Sequence, residues 1–332
     1  MGNGSDYTRN FTHTNVTDTG SMYSILQHTD LKHLSLVEVV GYTANAFRII
    51  IDRERVNVAG YSAFEWPMHH EEQFANLGVR TRYEGGPTSM PPTPEELERA
   101  LELIQWSLDR GIPVMAWDLF VPDFGIIYGY NDETRTLRCR HVTKDGELPY
   151  EKLGRGQAPE LYVMAVTETI VVDKRTMLRG ALQLAVRHAH EQGYKRENSN
   201  YRNGLAGYDA WIEAFGHRNV EVYGNSLHGV MHYDQRVFAA EFMKQVSTEL
   251  QGESAADKQL RFLAKQAAVH YDNVANNFTK FVMQFPFPKG GDPNDSEEAA
   301  AAIRLLTKAR SEEEQGVTLL EQMLRILDEQ VE

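Results

Sequence analysis

The 332-residue sequence contains one cysteine, Cys139, so an internal disulfide is excluded. Long hydrophobic runs are also missing: nothing approaches the roughly 18 uninterrupted apolar residues of a membrane span. Met1 to Gly20 is polar throughout and reads as no signal peptide. Sequons such as Asn10-Phe11-Thr12 and Asn277-Phe278-Thr279 carry no weight without secretion. No basic run offsets the formal net charge of −13, which works against binding nucleic acid phosphates or anionic lipid. A Gly-rich phosphate loop is lacking as well, because Gly85-Gly86-Pro87 is not followed by a lysine and a helix start. The expectation is a soluble protein of the reducing cytoplasm, with neither nucleic acid nor membrane as partner.

Apolar residues make up 42% and charged residues 24%, ordinary globular usage that excludes disorder and fibrous repeats. The length suits two domains, or one with an elaborate extension. Met22, Ile25 and Leu26, then Leu36, Val39 and Val40, predict two short helices, with Thr17, Asp18 and Thr19 as capping candidates. Ala46–Ile51 reads as a strand. Thr93-Pro94-Glu95-Glu96 reads as a capping box opening a helix whose apolar face is Leu97, Leu101, Ile104 and Leu108, stopped at Gly111. The period then changes to that of strands at 113–117, 124–130, 136–139 and 162–166, with a hairpin turn at Asn131-Asp132-Glu133-Thr134. Beyond Asp173 helices are expected near 176–192, 205–216, 227–250, 256–284, 297–310 and 312–331. This is an α+β arrangement, with an N-terminal α+β domain over 1–175 and a helical domain over 176–332.

Three segments in order carry a family resemblance: Thr19-Gly20-Ser21-Met22-Tyr23, then Gly41 through Arg48, then Phe124-Gly125-Ile126-Ile127-Tyr128-Gly129-Tyr130-Asn131-Asp132. Together they resemble the papain-like N-terminal domain of the butirosin biosynthesis protein H group, which is similar in fold to bacteriocin-leader cysteine peptidases. Gly207-Tyr208-Asp209-Ala210-Trp211, followed by a helix holding Arg236, Ala239, Ala240 and Phe242, is similar to the helical extension of such proteins. The resemblance implies acyl chemistry by a cysteine at the start of the first helix and a histidine at the start of a central strand. A helix N-terminus lowers a thiol pKa and offers N–H groups to an oxyanion, and the base must sit within hydrogen-bond reach. Here the nucleophile position falls at Gly20 or Ser21, and the strand opens Pro122-Asp123-Phe124. Both members of the catalytic pair are replaced. Cys139 lies in a late strand, so thiol chemistry is not expected.

Ser21 is a substitute nucleophile by position, and a cap or first-turn residue by the plainer reading. Asp123 occupies the place of the base, or serves the turn after Pro122. Trp117-Asp118 ends a strand at the same edge, where the tryptophan is either a wall or core packing. Asp118 joins Ser21 and Asp123 as a catalytic candidate, with Tyr23, Trp117, Phe124, Tyr208 and Trp211 as apolar walls. His228 and His232 share a helix face at metal-site spacing, but no third ligand can be named, so no metal is expected. His69-His70-Glu71-Glu72 reads as a solvated helix start. No cofactor is implied. The leading expectation is a small-molecule biosynthetic or tailoring enzyme, hydrolase-like or acyltransferase-like, acting on an acyl, amide or ester group without a cysteine nucleophile. A noncatalytic pseudoenzyme that binds a small ligand or partner is the alternative, and metal chemistry in the helical domain the third. Whether the chain forms a homo-oligomer is open.

Overall fold

The computed structural model describes residues 14–86, 88–191 and 200–330; the Asn10 sequon, most of the polar N-terminus and Pro87 lie outside them. In chain order the elements are α1 (Thr17–Leu26), α2 (Leu36–Tyr42), β1 (Ile50–Asp52), α3 (Trp66–Asn76), β2 (Val79–Gly85) and α4 (Pro94–Asp109). Then come β3 (Val114–Trp117), β4 (Phe124–Asn131), β5 (Thr136–Arg140), β6 (Asp145–Pro149) and β7 (Tyr162–Thr169). The remainder is α5 (Lys174–Ala189), β8 (Tyr201–Asn203), α6 (Gly204–His217), α7 (Val222–Glu249), α8 (Ala255–Gln284) and α9 (Ser296–Asp328). The fold is thus mixed α+β. Among the described residues no helix is long and apolar enough to cross a membrane.

Two compact units emerge. The first takes in the chain up to Val39 and Glu65–Val172; the second takes in Val40–Phe64 and Asp173 to the end. In the first unit six antiparallel strands run in the order β2-β7-β3-β4-β5-β6. The period-2 alternation sorts their side chains by face. Val114, Ala116, Ile127, Cys139, Val163 and Ala165 form one core with Ala100, Leu103 and Ile104 of α4. Trp117, Phe124 and Tyr162 point the other way, towards Trp66 of α3, with ring centroids 4.6, 5.3 and 5.6 Å from it. α1 packs on β3 and β4. The capping box at Thr93 and Glu96 is present as read.

The second unit is built on α7, α8 and α9 packed in sequence, with α6 against α9. The expected break between 297–310 and 312–331 does not exist: α9 runs unbroken through Ser311, because no glycine or proline interrupts its periodicity there. Residues 46–51, read as one strand of the sheet domain, divide into a 3₁₀ turn at Asn45–Phe47 and the short strand β1, paired with β8 in the helical unit. Their carbonyls explain why. Five consecutive ones are taken by side chains: Asn45 O by Gln235 Nε2 (2.7 Å), Ala46 O and Arg48 O by Arg236 Nη1 (2.9 and 3.2 Å), Phe47 O by Arg236 Nη2 (3.4 Å) and Ile49 O by His188 Nε2 (2.9 Å). Asn45 O and Ile49 O also receive main-chain N–H groups, from Arg48 and Gly204, while the carbonyls of residues 46–48 rely on the guanidinium. Arg236 Nε meets Glu313 Oε2 at 2.6 Å, and Tyr208 donates to the same oxygen at 2.9 Å, all three residues being buried.

Two predictions follow from this interior. Removing the carboxylate with Glu313→Ala leaves a buried guanidinium uncompensated and is expected to cost about 3–5 kcal/mol in urea denaturation, against much less for Asp209→Ala, whose bond to Arg310 is exposed. The buried imidazoles set an acid limit. Burial pushes His188 down to about 3 and His228 down to about 4. An unfolded histidine titrates near about 6.5. The unfolded chain therefore binds protons that the native state refuses, so their contribution is intact above about pH 6.5 and is lost as pH falls towards 4 and then 3. The denaturation midpoint should drop across that window, and a midpoint flat from pH 7 to 4 would contradict it.

Candidate functional site

In the first unit the start of α1 meets the β3 and β4 edges. α1 opens at Thr17 after Val16, which offers no side-chain cap, so Thr17, Asp18 and Thr19 are first-turn residues and not caps. Thr17 Oγ1 donates to Asp123 Oδ1. That oxygen also accepts from Phe124 N at 2.9 Å, which fixes the carboxylate against the strand it opens. Asp123 is thus at the helix start, where the sequence reading placed it. Ser21 is not turned towards it: it sits fully buried in the second turn and donates to Thr17 O at 2.8 Å, a helix back-bond and neither a cap nor a contact to Asp123.

Three further residues reach the same place without having been expected there, Asp18 having been read as a capping candidate and His70 as part of a solvated helix start. Asp18 is buried, and its Oδ1 accepts from Thr19 N at 2.7 Å. Its Oδ2 lies 3.8 Å from Nε2 of His70, whose Nδ1 is 2.8 Å from the Tyr162 hydroxyl. His70 is not at a solvated helix start; Trp66 and Pro67 open α3, which puts His70 in its interior, fully buried with its ring against Phe124. His141 follows β5 and lies beneath Asp123, donating from Nε2 to Asp123 O at 3.3 Å. Burial pushes it down to about 4, so it is neutral near pH 7. The β4–β5 hairpin holds the signal that could have found it: with Ile126 opposite Arg140, the residue that follows β5 must approach the start of β4.

Asp118 and Trp117 are both buried. Asp118 has φ 49°, in the left-handed region that side chains disfavour. Its N–H donates to Asp123 O at 2.9 Å, and its Oδ2 accepts from Ala158 N at 2.7 Å. Burial raises its carboxyl to about 6 against the pull of the Ala158 and Gln157 N–H groups, with the charge of Glu160 adding to the rise. Trp117 and Phe124 line the aromatic layer with Trp66, their own centroids 4.9 Å apart, and Tyr23 is partly exposed on α1.

Tyr208 and Trp211, expected as walls of the same pocket, are fully buried in the second unit's core, where Trp211 Nε1 donates to Asn225 Oδ1 at 2.9 Å. His228 and His232 stack one turn apart on α7. Each is engaged by the fold: His228 Nε2 on Asn57 O at 3.0 Å, and His232 Nδ1 on Gln235 Oε1 at 2.8 Å. Among the described residues no group of three or more His, Cys, Asp or Glu is disposed to hold a metal ion. Cys139 is buried in the α4-facing core, and burial pushes its thiol well up. No protein-family model matches the chain, and no curated protein matches it.

A carboxyl raised in the native state gives its full contribution below its unfolded pKa and loses it as pH rises through the folded value. For Asp118 that window runs from about 4 to about 6. Asp118→Asn removes the buried charge, so it should gain on the unmodified protein by about 1–3 kcal/mol between pH 4 and pH 8. Parallel thermal melts at the two pH values check this; a constant difference would show that Asp118 does not titrate as stated. Cys139 should resist iodoacetamide until the fold is opened with denaturant.

Proposed function

We propose that the chain is a small-molecule biosynthetic or tailoring enzyme of papain-like design, resembling the butirosin biosynthesis protein H group, that works on an acyl, amide or ester group with a hydroxyl and a carboxylate in place of a thiol and an imidazole. The supporting observation is the Thr17–Asp123 hydrogen bond at the start of α1. A nucleophile and its base within hydrogen-bond reach, with the base held by a third group, are the arrangement covalent catalysis requires. Here the third group is Phe124 N, and the main chain of Asp123 is held by His141 and by the Asp118 N–H.

In the first step Asp123 takes the Thr17 proton as Oγ1 bonds to the substrate carbonyl carbon. The leaving group then departs with the proton that Asp123 returns, and an acyl-threonine remains. Water or an acceptor hydroxyl or amine reverses the sequence, giving its proton to Asp123 as it attacks. The positive end of the α1 dipole lies beside the carbonyl, the polarity that a developing oxyanion needs. A reducing cytoplasm suits the single thiol, which the chemistry does not use.

A second reading, a noncatalytic module that binds a small ligand on the same scaffold, is favoured by the burial of Thr17, Asp18 and Ser21. Hydrolysis of p-nitrophenyl acetate and acyl transfer to hydroxylamine separate the two. Thr17→Val and Asp123→Asn should each lower the rate by about 100-fold or more with the fold retained, whereas Cys139→Ser should leave it unchanged. Wild-type rates no higher than those of heat-denatured protein would favour the binding module. Equal rates in wild type and Thr17→Val would remove Thr17 as nucleophile.

A further inference from the structure

We propose that Asp118 is the specificity-determining residue of the first unit's site, its uncommitted oxygen taking a primary ammonium group of the substrate. This rests on the reading that the chain binds a small molecule at the start of α1, though not on catalysis there.

The two oxygens of Asp118 differ. Oδ2 is committed to Ala158 N, whereas Oδ1 is buried and has no hydrogen-bond partner. No cation of the described residues forms an ion pair with it, and the charge that bears on it, Glu160, has the same sign. Glu160 is itself held by Ser89, accepting from its N–H at 3.1 Å and its hydroxyl at 3.0 Å. A buried carboxylate oxygen without a donor is costly, and the Ala158 and Gln157 N–H groups that bear on the carboxyl call for an acceptor, which asparagine would supply without the charge. The backbone adds to the cost, since Asp118 is held at φ 49° at the end of β3. Strain, an unmatched charge and an uncommitted acceptor thus coincide at one residue, whose N–H also fixes the main chain of Asp123.

A glycine lies over the carboxylate. Gly156 is exposed, and a Cβ added to it would lie 2.4 Å from Asp118 Oδ2, so a bare peptide covers the carboxylate. The group is beneath the surface by one backbone layer, in the loop it anchors through Ala158. Charge, a single free acceptor and a low-dielectric setting together select a compact N–H-donating cation: the ammonium can satisfy Oδ1 and neutralise the carboxylate at once.

Methylammonium serves as the probe. In protein labelled with ¹³C at aspartate Cγ, the Asp118 resonance is identified by its loss in Asp118→Asn, and its pH titration is followed with and without methylammonium chloride, at ionic strength matched with tetramethylammonium chloride. The expected result is a saturable downward shift of the Asp118 midpoint by about half a pH unit or more, because the cation favours the ionised form. Thr17→Val should retain the shift. A midpoint unmoved by methylammonium, an equal shift in tetramethylammonium, or a methylammonium-dependent rise in melting temperature that survives in Asp118→Asn would each overturn the proposal. Loss of ester turnover with the shift intact would count against the catalytic reading alone.

Discussion

The guanidinium of Arg236 is the contact around which the second unit is organised. It is fully buried and spends its donors on three successive carbonyls, Ala46 to Arg48, and on Glu313. Burial works against its charge, but Glu313 and the Tyr208 and Tyr271 hydroxyls outweigh that and hold it firmly protonated. Planar, forked geometry is what allows one side chain to serve so many acceptors, and lysine could not replace it. With Gln235 and His188 at either end, a segment with almost no regular hydrogen bonding of its own becomes as well satisfied as a strand. Such a network is worth having only when complete, since each partner lost leaves a buried group exposed to the full desolvation cost.

The first unit follows a different economy. Its sheet satisfies the backbone through its own ladders. Asp18 and His70 meet near the start of α1 on the aromatic face of the sheet, beside Phe124 and Tyr162, while the Asp123 carbonyl gathers the Asp118 N–H and the His141 ring. Burial shifts the Asp118 carboxyl up and the His141 ring down, and perturbed groups of this kind cluster at functional sites. The opposite face, against α4, is aliphatic and holds the only thiol.

Much of this was legible in the sequence and some was not, for reasons that differ by element. Period-2 runs located β3, β4, β5 and β7, and the turn residues at Asn131–Thr134 located the hairpin. β2 and β6 escaped because Val79–Gly85 and Asp145–Pro149 are edge strands with mostly polar, part-exposed side chains, which carry no alternation to read. Residues 46–51 have strand composition but owe their conformation to Arg236, nearly two hundred residues on, and no local signal reports a partner so distant. At the candidate site Asp123 was readable from its place before a strand. His70 was misread because its neighbours His69, Glu71 and Glu72 are polar, although a helix turns adjacent residues about 100° apart and only one of them needs to face inward.

The allegiance of Val40–Phe64 to the helical unit bears on how the chain is made. Asn45 and Ala46 precede their side-chain partners by 190 residues. At about 5–20 residues per second of synthesis, roughly 10–40 seconds separate their emergence from that of Gln235 and Arg236. For that interval the ribosome has released most of the sheet unit and a segment that cannot yet bury its carbonyls. No single cut yields either unit as an uninterrupted polypeptide, so the order in which the two mature is written into the threading of the chain.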